Sequence, residues 1–299
     1  MGAGQTGGIA SLLDIDFENA PGFIGNKAID VEGQYVVYYL SHAVLFCAGA
    51  LIEAHVVVTP ASCVYGERYK FDVYAGSHTF TEQLGVKRRV ENICVHRQYN
   101  HSLRYSDCST DNLALLVLSK QYSFRRPEEN SDFIINRIRY GLPSKLVENQ
   151  DIETCHFYGW GSRRNGFLIP LLLHLHRVDV KVLPCSKCHQ MWNSENKYMC
   201  IEEPPCKSEK FGALSPDDLG SPLVCNGFLR GIMTSLLIDR PAGVGFLDLI
   251  KYHKFLTCGV DGARDVMQTD DDYMMLQIST PHPSFTFATI DHHSTTTRE

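Results

Sequence analysis

Cysteine is the residue type with the most evident chemistry in this chain, since 11 cysteines occur in 299 residues. Cys185, Cys188, His189, Cys200 and Cys206 are spaced like the ligands of a zinc ion. The same cysteines can instead form disulfides, which require an oxidising compartment and which we expect at so high a count. The count is odd, so at least one thiol stays unpaired, and spacing alone does not fix the pairs. An intracellular, zinc-binding structural protein is therefore kept as an alternative.

A second group of reactive residue types lies in segment 215–225, Ser-Pro-Asp-Asp-Leu-Gly-Ser-Pro-Leu-Val-Cys. It holds two hydroxyls, Ser215 and Ser221, and two adjacent carboxyl groups, Asp217 and Asp218. A serine attacks a carbonyl only when a base takes its proton. No histidine lies close to Ser221 in the sequence, so the segment does not by itself predict a working nucleophile.

Composition describes an ordinary globular chain and excludes several partners. Hydrophobic residues make up 44% and charged residues 21%, which is enough to build a core. The net charge is −6 and no long basic run occurs, which argues against nucleic acid. No segment approaches the roughly 20 apolar residues that span a bilayer, so we expect no membrane partner. Residues 1–26 lack Lys, Arg and a long apolar run, so no signal peptide is visible.

The elements that must position these residues are predicted to be strands. Short runs rich in Val, Tyr and Leu, separated by Gly and Pro, indicate an all-β protein. Tyr252, Phe255 and Leu256 have the spacing of a helix that docks one apolar face. Residues 1–22 predict a flexible Gly-rich leader, and residues 259–299 a polar, disordered tail. The predicted strands include 35–45, 71–76, 86–96 and 173–183. Residues 121–150 have few apolar positions and predict a linker between two halves of the chain.

Segment 215–225 resembles the nucleophile segment of trypsin-like serine proteases, Gly-Asp-Ser-Gly-Gly-Pro followed by two apolar residues and Cys. Asp218, Gly220, Pro222 and Cys225 fall in register with it. Residues 47–52 and 61–63 are similar to the family's Cys-Gly-Gly-Ser-Leu-Ile and Ala-His-Cys motifs, and residues 155–161 to its Cys-x-x-x-Gly-Trp-Gly. The resemblance covers about residues 23–258. It implies two packed six-stranded antiparallel Greek-key barrels with a C-terminal helix, barrel 1 over about 23–125 and barrel 2 over about 140–258.

The resemblance also implies how the cysteines pair. Family positions give Cys47–Cys63, Cys155–Cys225 and Cys188–Cys200. Cys94–Cys108 and Cys185–Cys206 are plausible additional bridges, which would leave Cys258 as the odd thiol. If the chain is secreted, Asn100-His101-Ser102 is an N-glycosylation sequon.

All three positions of the family's catalytic triad carry other residues. Ser62 stands at the histidine, Asn112 at the aspartate and Leu219 at the serine. Asp111 is one residue early, and on an extended segment that shift turns a side chain to the opposite face. A hydroxyl of very high pKa cannot act as general base near pH 7, and an isobutyl group cannot attack a carbonyl.

The surroundings of the triad differ from the family as well. Ala213 stands where trypsin keeps an Asp in its substrate pocket. On the opposite wall of that pocket, the family's Ser-Trp-Gly corresponds to residues 234–236, so Thr234 begins the wall and Leu236 replaces its Gly. Asp217 occupies the Gly position that supplies an oxyanion-hole N–H, where a carboxylate would repel a developing oxyanion. The activation site before Ile-Val-Gly-Gly is absent.

The expected function is therefore that of a catalytically inactive, secreted serine protease homologue without cofactor or metal. Similar arthropod proteins are associated with proteolytic cascades of immunity and with seminal fluid and reproduction, where they bind active proteases and other proteins. The alternatives are the zinc protein above and an enzyme with a relocated nucleophile, Ser221 or Ser62.

Overall fold

The computed structural model describes residues 26–41, 45–79, 85–103, 111–141, 154–160, 174–183, 188, 198–201, 218–236, 244–256 and 273–276. The strands are, in chain order, β1 Asn26–Lys27, β2 Val36–Ser41, β3 Leu45–Glu53, β4 Val56–Thr59, β5 Asp72–Ala75, β6 Val86–His96, β7 Ala114–Leu118, β8 Arg139–Tyr140, β9 Thr154–Gly159, β10 His176–Lys181, β11 Tyr198–Cys200, β12 Pro222–Cys225, β13 Phe228–Leu236, β14 Val244–Asp248 and β15 Tyr273–Leu276. A one-turn helix, α1, covers Ala61–Val64, and 3₁₀ turns cover His101–Leu103 and Leu249–Tyr252. The second 3₁₀ turn continues as α-helix over 253–256, which is the predicted C-terminal helix.

The first barrel is a closed antiparallel sheet of six strands in the order β6-β5-β2-β3-β4-β7, and the pairing of β6 with β7 closes it. Its inward side chains form a buried cluster that includes Val37, Leu51, Val57 and Ile93. β4 is buried along its whole length, so its three consecutive valines, Val56, Val57 and Val58, show no alternation with polar residues. The predicted strand 86–96 has the bounds of β6.

The second barrel contains β10-β9-β12-β13-β14-β11. It closes through a bridge between Val182 and Ile201, supported by the bond from Leu183 N–H to the Cys200 carbonyl at 2.8 Å. The two barrels and the short C-terminal helix confirm the predicted all-β, trypsin-like fold.

Three predictions about elements were wrong. Tyr35–Leu45 is not one strand, because β2 ends at Ser41 and β3 begins at Leu45. Asn26–Lys27 was assigned to barrel 1, but β1 pairs with β10 of the second barrel. The region between the barrels is not a bare linker, since Ile135 is fully buried. Strands of two residues and turns between apolar runs leave no periodic signal to predict from.

The tail prediction was also wrong for residues 273–276. Tyr273–Leu276 forms β15 and pairs antiparallel with Ile93–His96 at the end of β6. Four residues with apolar character can join a sheet edge even when the sequence around them is polar, because backbone groups make the bonds. The other tail residues, and the leader 1–22, lie outside the described residues.

Candidate functional site

The site is built where the two barrels meet. β4 ends at Thr59, and Pro60 precedes the single helical turn that carries Ser62. β7 pairs with β4, and this pairing brings Asn112, two residues before β7, beside Ser62. The disulfide Cys47–Cys63 ties the helical turn to β3.

Ser62 and Asn112 form a reciprocal pair. The Asn112 Oδ1 accepts a hydrogen bond from the Ser62 backbone N–H at 2.7 Å, and its Nδ2 donates to the Ser62 hydroxyl oxygen at 3.0 Å. The same Nδ2 donates weakly to the Thr234 carbonyl at 3.5 Å. Asn112 is 1% exposed, so these partners satisfy an amide that water does not reach. The pair carries no charge, and no histidine among the described residues hydrogen-bonds to Ser62.

Asp111 does not stand in for Asn112. Its Oδ1 accepts a hydrogen bond from the Tyr252 hydroxyl at 3.0 Å, on the side of the C-terminal helix. Asp111 and Asn112 do point to different partners, but Asp111 lies in a turn at φ +58° and not on the extended segment that we expected. Asp111 holds the helix to the first barrel and does not face Ser62.

Leu219 packs, partly buried, against the apolar cluster that contains the Cys47–Cys63 disulfide. Its backbone holds the loop, because the Leu219 carbonyl accepts from Ala48 N–H at 2.7 Å. Gly220 follows at φ +91°, and a Cβ there would lie 1.9 Å from the Ala48 carbonyl oxygen. Only glycine meets both the close approach and the positive φ.

Asp218 is fully buried and anchors the loop from the other side. Its Oδ1 accepts from Trp160 N–H at 2.9 Å, so the carboxylate ties the loop to the residue that follows β9. Gly159 leaves the room for it, because a Cβ on Gly159 would lie 2.6 Å from that oxygen. The sequence shows the Gly-Trp-Gly motif, but it does not show that the first glycine, Gly159, is needed to make room for the Asp218 carboxylate.

Ser221 is also fully buried, and none of the described residues hydrogen-bonds to its hydroxyl. A hydroxyl with no exposed surface is poorly placed to attack a substrate carbonyl, which argues against Ser221 as a relocated nucleophile. Thr234 is buried too, and its Oγ1 has no hydrogen-bond partner among the described residues. Ala213, Asp217 and the side chain of Leu236 lie outside the described residues.

The three family-implied disulfides are present. Cys47–Cys63, Cys155–Cys225 and Cys188–Cys200 have S–S distances of 2.01, 2.01 and 1.96 Å. Cys188 and Cys200 are thus not thiolates, and the proposed zinc ligand set loses two members. Cys94 is buried. Its expected partner Cys108, the pair Cys185–Cys206 and Cys258 lie outside the described residues.

The described histidines serve other contacts. Burial lowers the pKa of His78, whose Nε2 hydrogen-bonds to the Glu32 carbonyl at 2.7 Å. Burial also lowers the pKa of His176, whose Nδ1 bonds to the His174 carbonyl at 2.8 Å. In the ranges that the structure describes, no three His, Cys, Asp or Glu side chains come together as a metal site.

Asn100 is exposed after β6, where the sequon was found. Its Oδ1 accepts from Ser102 N–H at 3.0 Å, which orders the start of the 3₁₀ turn His101–Leu103. None of the helices in the described part of the chain is long and apolar enough to cross a membrane.

Proteins that are similar to this chain in sequence include kallikreins. Kallikrein-7 of Homo sapiens is 27% identical over 218 residues, covering 70% of this chain and 77% of that protein. Kallikrein 1-related peptidase-like b4 of Mus musculus is 30% identical over 200 residues, covering 62% and 69%.

Solved structures share the fold at lower identity. The scabies mite inactivated protease paralogue S-D1 is 20% identical with a TM-score of 0.64, covering 80% of this chain and 97% of that one. Human heparin binding protein is 21% identical with a TM-score of 0.60, covering 83% and 99%. The trypsin family profile matches residues 25–247. With the two barrels and the three disulfides, this match establishes that the chain belongs to the trypsin family of serine protease domains.

Proposed function

We propose that this protein is a secreted, catalytically inactive member of the trypsin family that acts by binding other proteins. The observation that carries the proposal is the closed Ser62–Asn112 pair beside Leu219. At the place where a protease assembles base, acid and nucleophile, this chain has an uncharged hydrogen-bonded pair and an apolar side chain.

Each replacement removes one requirement of acyl transfer. Leu219 has no nucleophilic atom. Ser62 cannot take a proton near pH 7, and its hydroxyl oxygen already accepts from Asn112. An amide cannot stabilise an imidazolium as a carboxylate does. Loss of the whole set lowers kcat by about 10⁶, and restoring one member recovers little because the three act as a unit.

The scaffold around the lost chemistry supports a binding role. The loop over 218–221 is pinned from both barrels, through Ala48 N–H and through Trp160 N–H. A rigid cleft can hold an extended segment of another protein without cutting it. One protein of this fold carries a name that calls it an inactivated protease paralogue, which is a precedent for the scaffold without the activity.

Secretion is proposed from the cysteines. Three disulfides close within the described residues, and such bonds form and persist in oxidising compartments. The partners we propose are active serine proteases or other proteins of the same fluid, as in a proteolytic cascade of immunity or in seminal fluid. No cofactor, metal, nucleic acid or membrane is part of the proposal.

Labelling with a fluorophosphonate probe tests the loss of activity. We expect no labelling of the natural protein and none of Leu219→Ser, since the hydroxyl would still lack a base. A related active trypsin-family protease, labelled in parallel, is the positive control. Labelling of the natural protein would refute the proposal, and loss of that label in Ser62→Ala would then identify Ser62 as the nucleophile.

A further inference from the structure

Two adjacent arginines project from the connection that follows β7. Arg125, Arg126 and Pro127 are all exposed. Within the part of the chain that the structure describes, neither guanidinium forms an ion pair or a hydrogen bond. Both side chains are therefore available to a site on another molecule.

The backbone of this segment is available as well. Before the arginines, Tyr122 N–H donates to the Ala54 carbonyl at 2.8 Å, and after them Asp132 N–H donates to the Gly76 carbonyl at 2.7 Å. Between these two anchors, the described residues offer no backbone partner to the N–H groups of residues 124–126. Exposed loops of this kind are the places where proteases cut folded chains.

Several other exposed cations lie in segments whose backbone is already paired. Lys87, Arg139 and Lys181, for example, belong to β6, β8 and β10. A protease binds the segment that it cuts as an extended strand, through backbone hydrogen bonds. A bond within a paired strand is therefore protected, whereas the Arg125–Arg126 bond has no strand pairing to lose.

A carboxylate closes the base of the loop. Glu128 Oε1 accepts a hydrogen bond from the Ser123 N–H at 2.6 Å, and Oε2 pairs with Arg88. The Arg88 guanidinium lies 4.8 Å from the centre of the Tyr122 ring. These contacts, which we call the Glu128 clamp, hold residues 124–126 in a bend. A protease needs an extended segment, so the bond from Ser123 must open before the loop can bind one.

The two arginines define the chemistry of the partner. A guanidinium is bound best by a carboxylate in a bidentate pair, so the matching enzyme is a serine protease with an acidic, arginine-specific pocket. The bond after Arg126 is a poor substrate, because Pro127 has no N–H and its ring restricts the residue before it. We propose that the Arg125–Arg126 bond is a processing site for such a protease, and that the Glu128 clamp slows the cut. The proposal rests on the partner class named under the proposed function and adds the site at which such a partner acts.

The reaction is acyl transfer followed by hydrolysis. The serine oxygen of the partner adds to the carbonyl carbon of Arg125. The C–N bond to Arg126 breaks, and the nitrogen takes a proton from the partner's general acid and leaves as an amine. Water then hydrolyses the ester, so that the first fragment ends in the carboxylate of Arg125.

The cut chain is expected to stay assembled. Downstream of the cut, Ile135 is buried in the core of the first barrel, and Ile138 N–H donates to the Leu51 carbonyl at 2.9 Å. Each of the three described disulfides lies on one side of the cut. The two fragments should therefore migrate together in a native gel and separate in a denaturing, reducing gel.

Digestion of the full chain with trypsin, an arginine-directed protease, tests the proposal. Intact-mass spectrometry at early times should find fragments 1–125 and 126–299 from the natural chain. Arg125→Gln should lose this pair of fragments, and Arg126→Gln, the matched control, should keep it. Absence of the pair from the natural chain, or its loss in Arg126→Gln, would overturn the proposal. The same fragments in a sample without trypsin would support the site and contradict the proposed loss of activity.

Two further variants test the Glu128 clamp. Glu128→Gln keeps the shape of the side chain but makes the acceptor neutral, and we expect the fragments to form about fivefold faster, as for a charged bond replaced by a neutral one. Glu129→Gln removes an exposed neighbouring charge that has no ion pair among the described residues, and the rate should not change. An unchanged urea midpoint shows that each variant is folded. Equal rates in the two variants would overturn the role of Glu128.

Discussion

A buried charge placed at Asn112 tests the reasoning about the site most directly. In Asn112→Asp the new carboxylate would keep the short bond from Ser62 N–H, and it could accept from the Ser62 hydroxyl. It would lose the hydrogen bond that Asn112 donates to the Thr234 carbonyl, so that a carboxylate oxygen would lie about 3.5 Å from the carbonyl oxygen of Thr234.

The magnitude follows from the burial of this position. Desolvation of an ion that is 1% exposed costs several kcal/mol, and no cation among the described residues is bonded to the amide that it replaces. The charge-assisted bond from Ser62 N–H offsets about 1.5–3 kcal/mol of that cost. We therefore expect a loss of about 2 kcal/mol in the free energy of unfolding at pH 8.

The sign of the pH dependence is fixed by the same argument. Burial raises the pKa of the new carboxyl in the folded state above its unfolded value of about 3.9. As pH rises, the carboxyl group therefore loses its proton at a lower pH in the unfolded chain than in the folded protein. The loss in the free energy of unfolding, relative to the natural protein, grows by about 1.4 kcal/mol per pH unit above the pKa of the unfolded state. This deficit levels off above the pKa of the folded state.

Urea unfolding, followed by intrinsic tryptophan fluorescence between pH 4.5 and 8, measures this deficit. Asn112→Leu is the matched control, because it removes the amide bonds without adding a charge, and its deficit relative to the natural protein should not vary with pH. Adding Ser62→His to Asn112→Asp should reduce the deficit near pH 6, where an imidazolium can pair with the carboxylate. A deficit that is equal at both ends of the pH range would refute the account of a dry, neutral site.

Other predictions concern the loop, the thiols and the sequon. Gly220→Ala should abolish folding or lower stability by more than about 3 kcal/mol, because its Cβ would meet the Ala48 carbonyl. Gly66→Ala, at φ +82° with nothing near its Cβ, should cost only about 1 kcal/mol in the same urea assay. Thiol titration of the denatured, unreduced chain should find about one free thiol and no stoichiometric zinc; a count above five would contradict the three disulfides. Expressed in a secretory host, the natural chain should shift in mobility on glycosidase treatment, and Asn100→Gln or Ser102→Ala should abolish the shift.

The sequence was sufficient for the parts of the fold that depend on strong local patterns. The bounds of β6 followed from its spaced Val and Ile residues, and the Cys47–Cys63 bridge from the resemblance of its motifs to the trypsin family. β1 and β15 were misassigned because pairing of two or four residues depends on which edges remain open, which no periodicity encodes.

The site was predictable in its residues but not in its contacts. Sequence position placed Ser62 and Asn112 together and separated Asp111 from them. It did not reveal that the amide and the serine satisfy each other in two directions, because that depends on the orientation of one side chain after folding. It also left Ser221 as a candidate, since burial of a hydroxyl within a turn is a tertiary property.

The loop keeps its shape through atoms that do not belong to the Leu219 side chain. Backbone groups at positions 219 and 220 bind Ala48 and Met233, and the Asp218 carboxylate binds Trp160 N–H. The side chain of Leu219 only packs against the neighbouring apolar cluster. Replacing it by serine should therefore leave the loop folded, at a cost of about 1–2 kcal/mol for the lost apolar burial. We expect no fluorophosphonate labelling of this variant, because the described pair Ser62 and Asn112 is uncharged and offers no base.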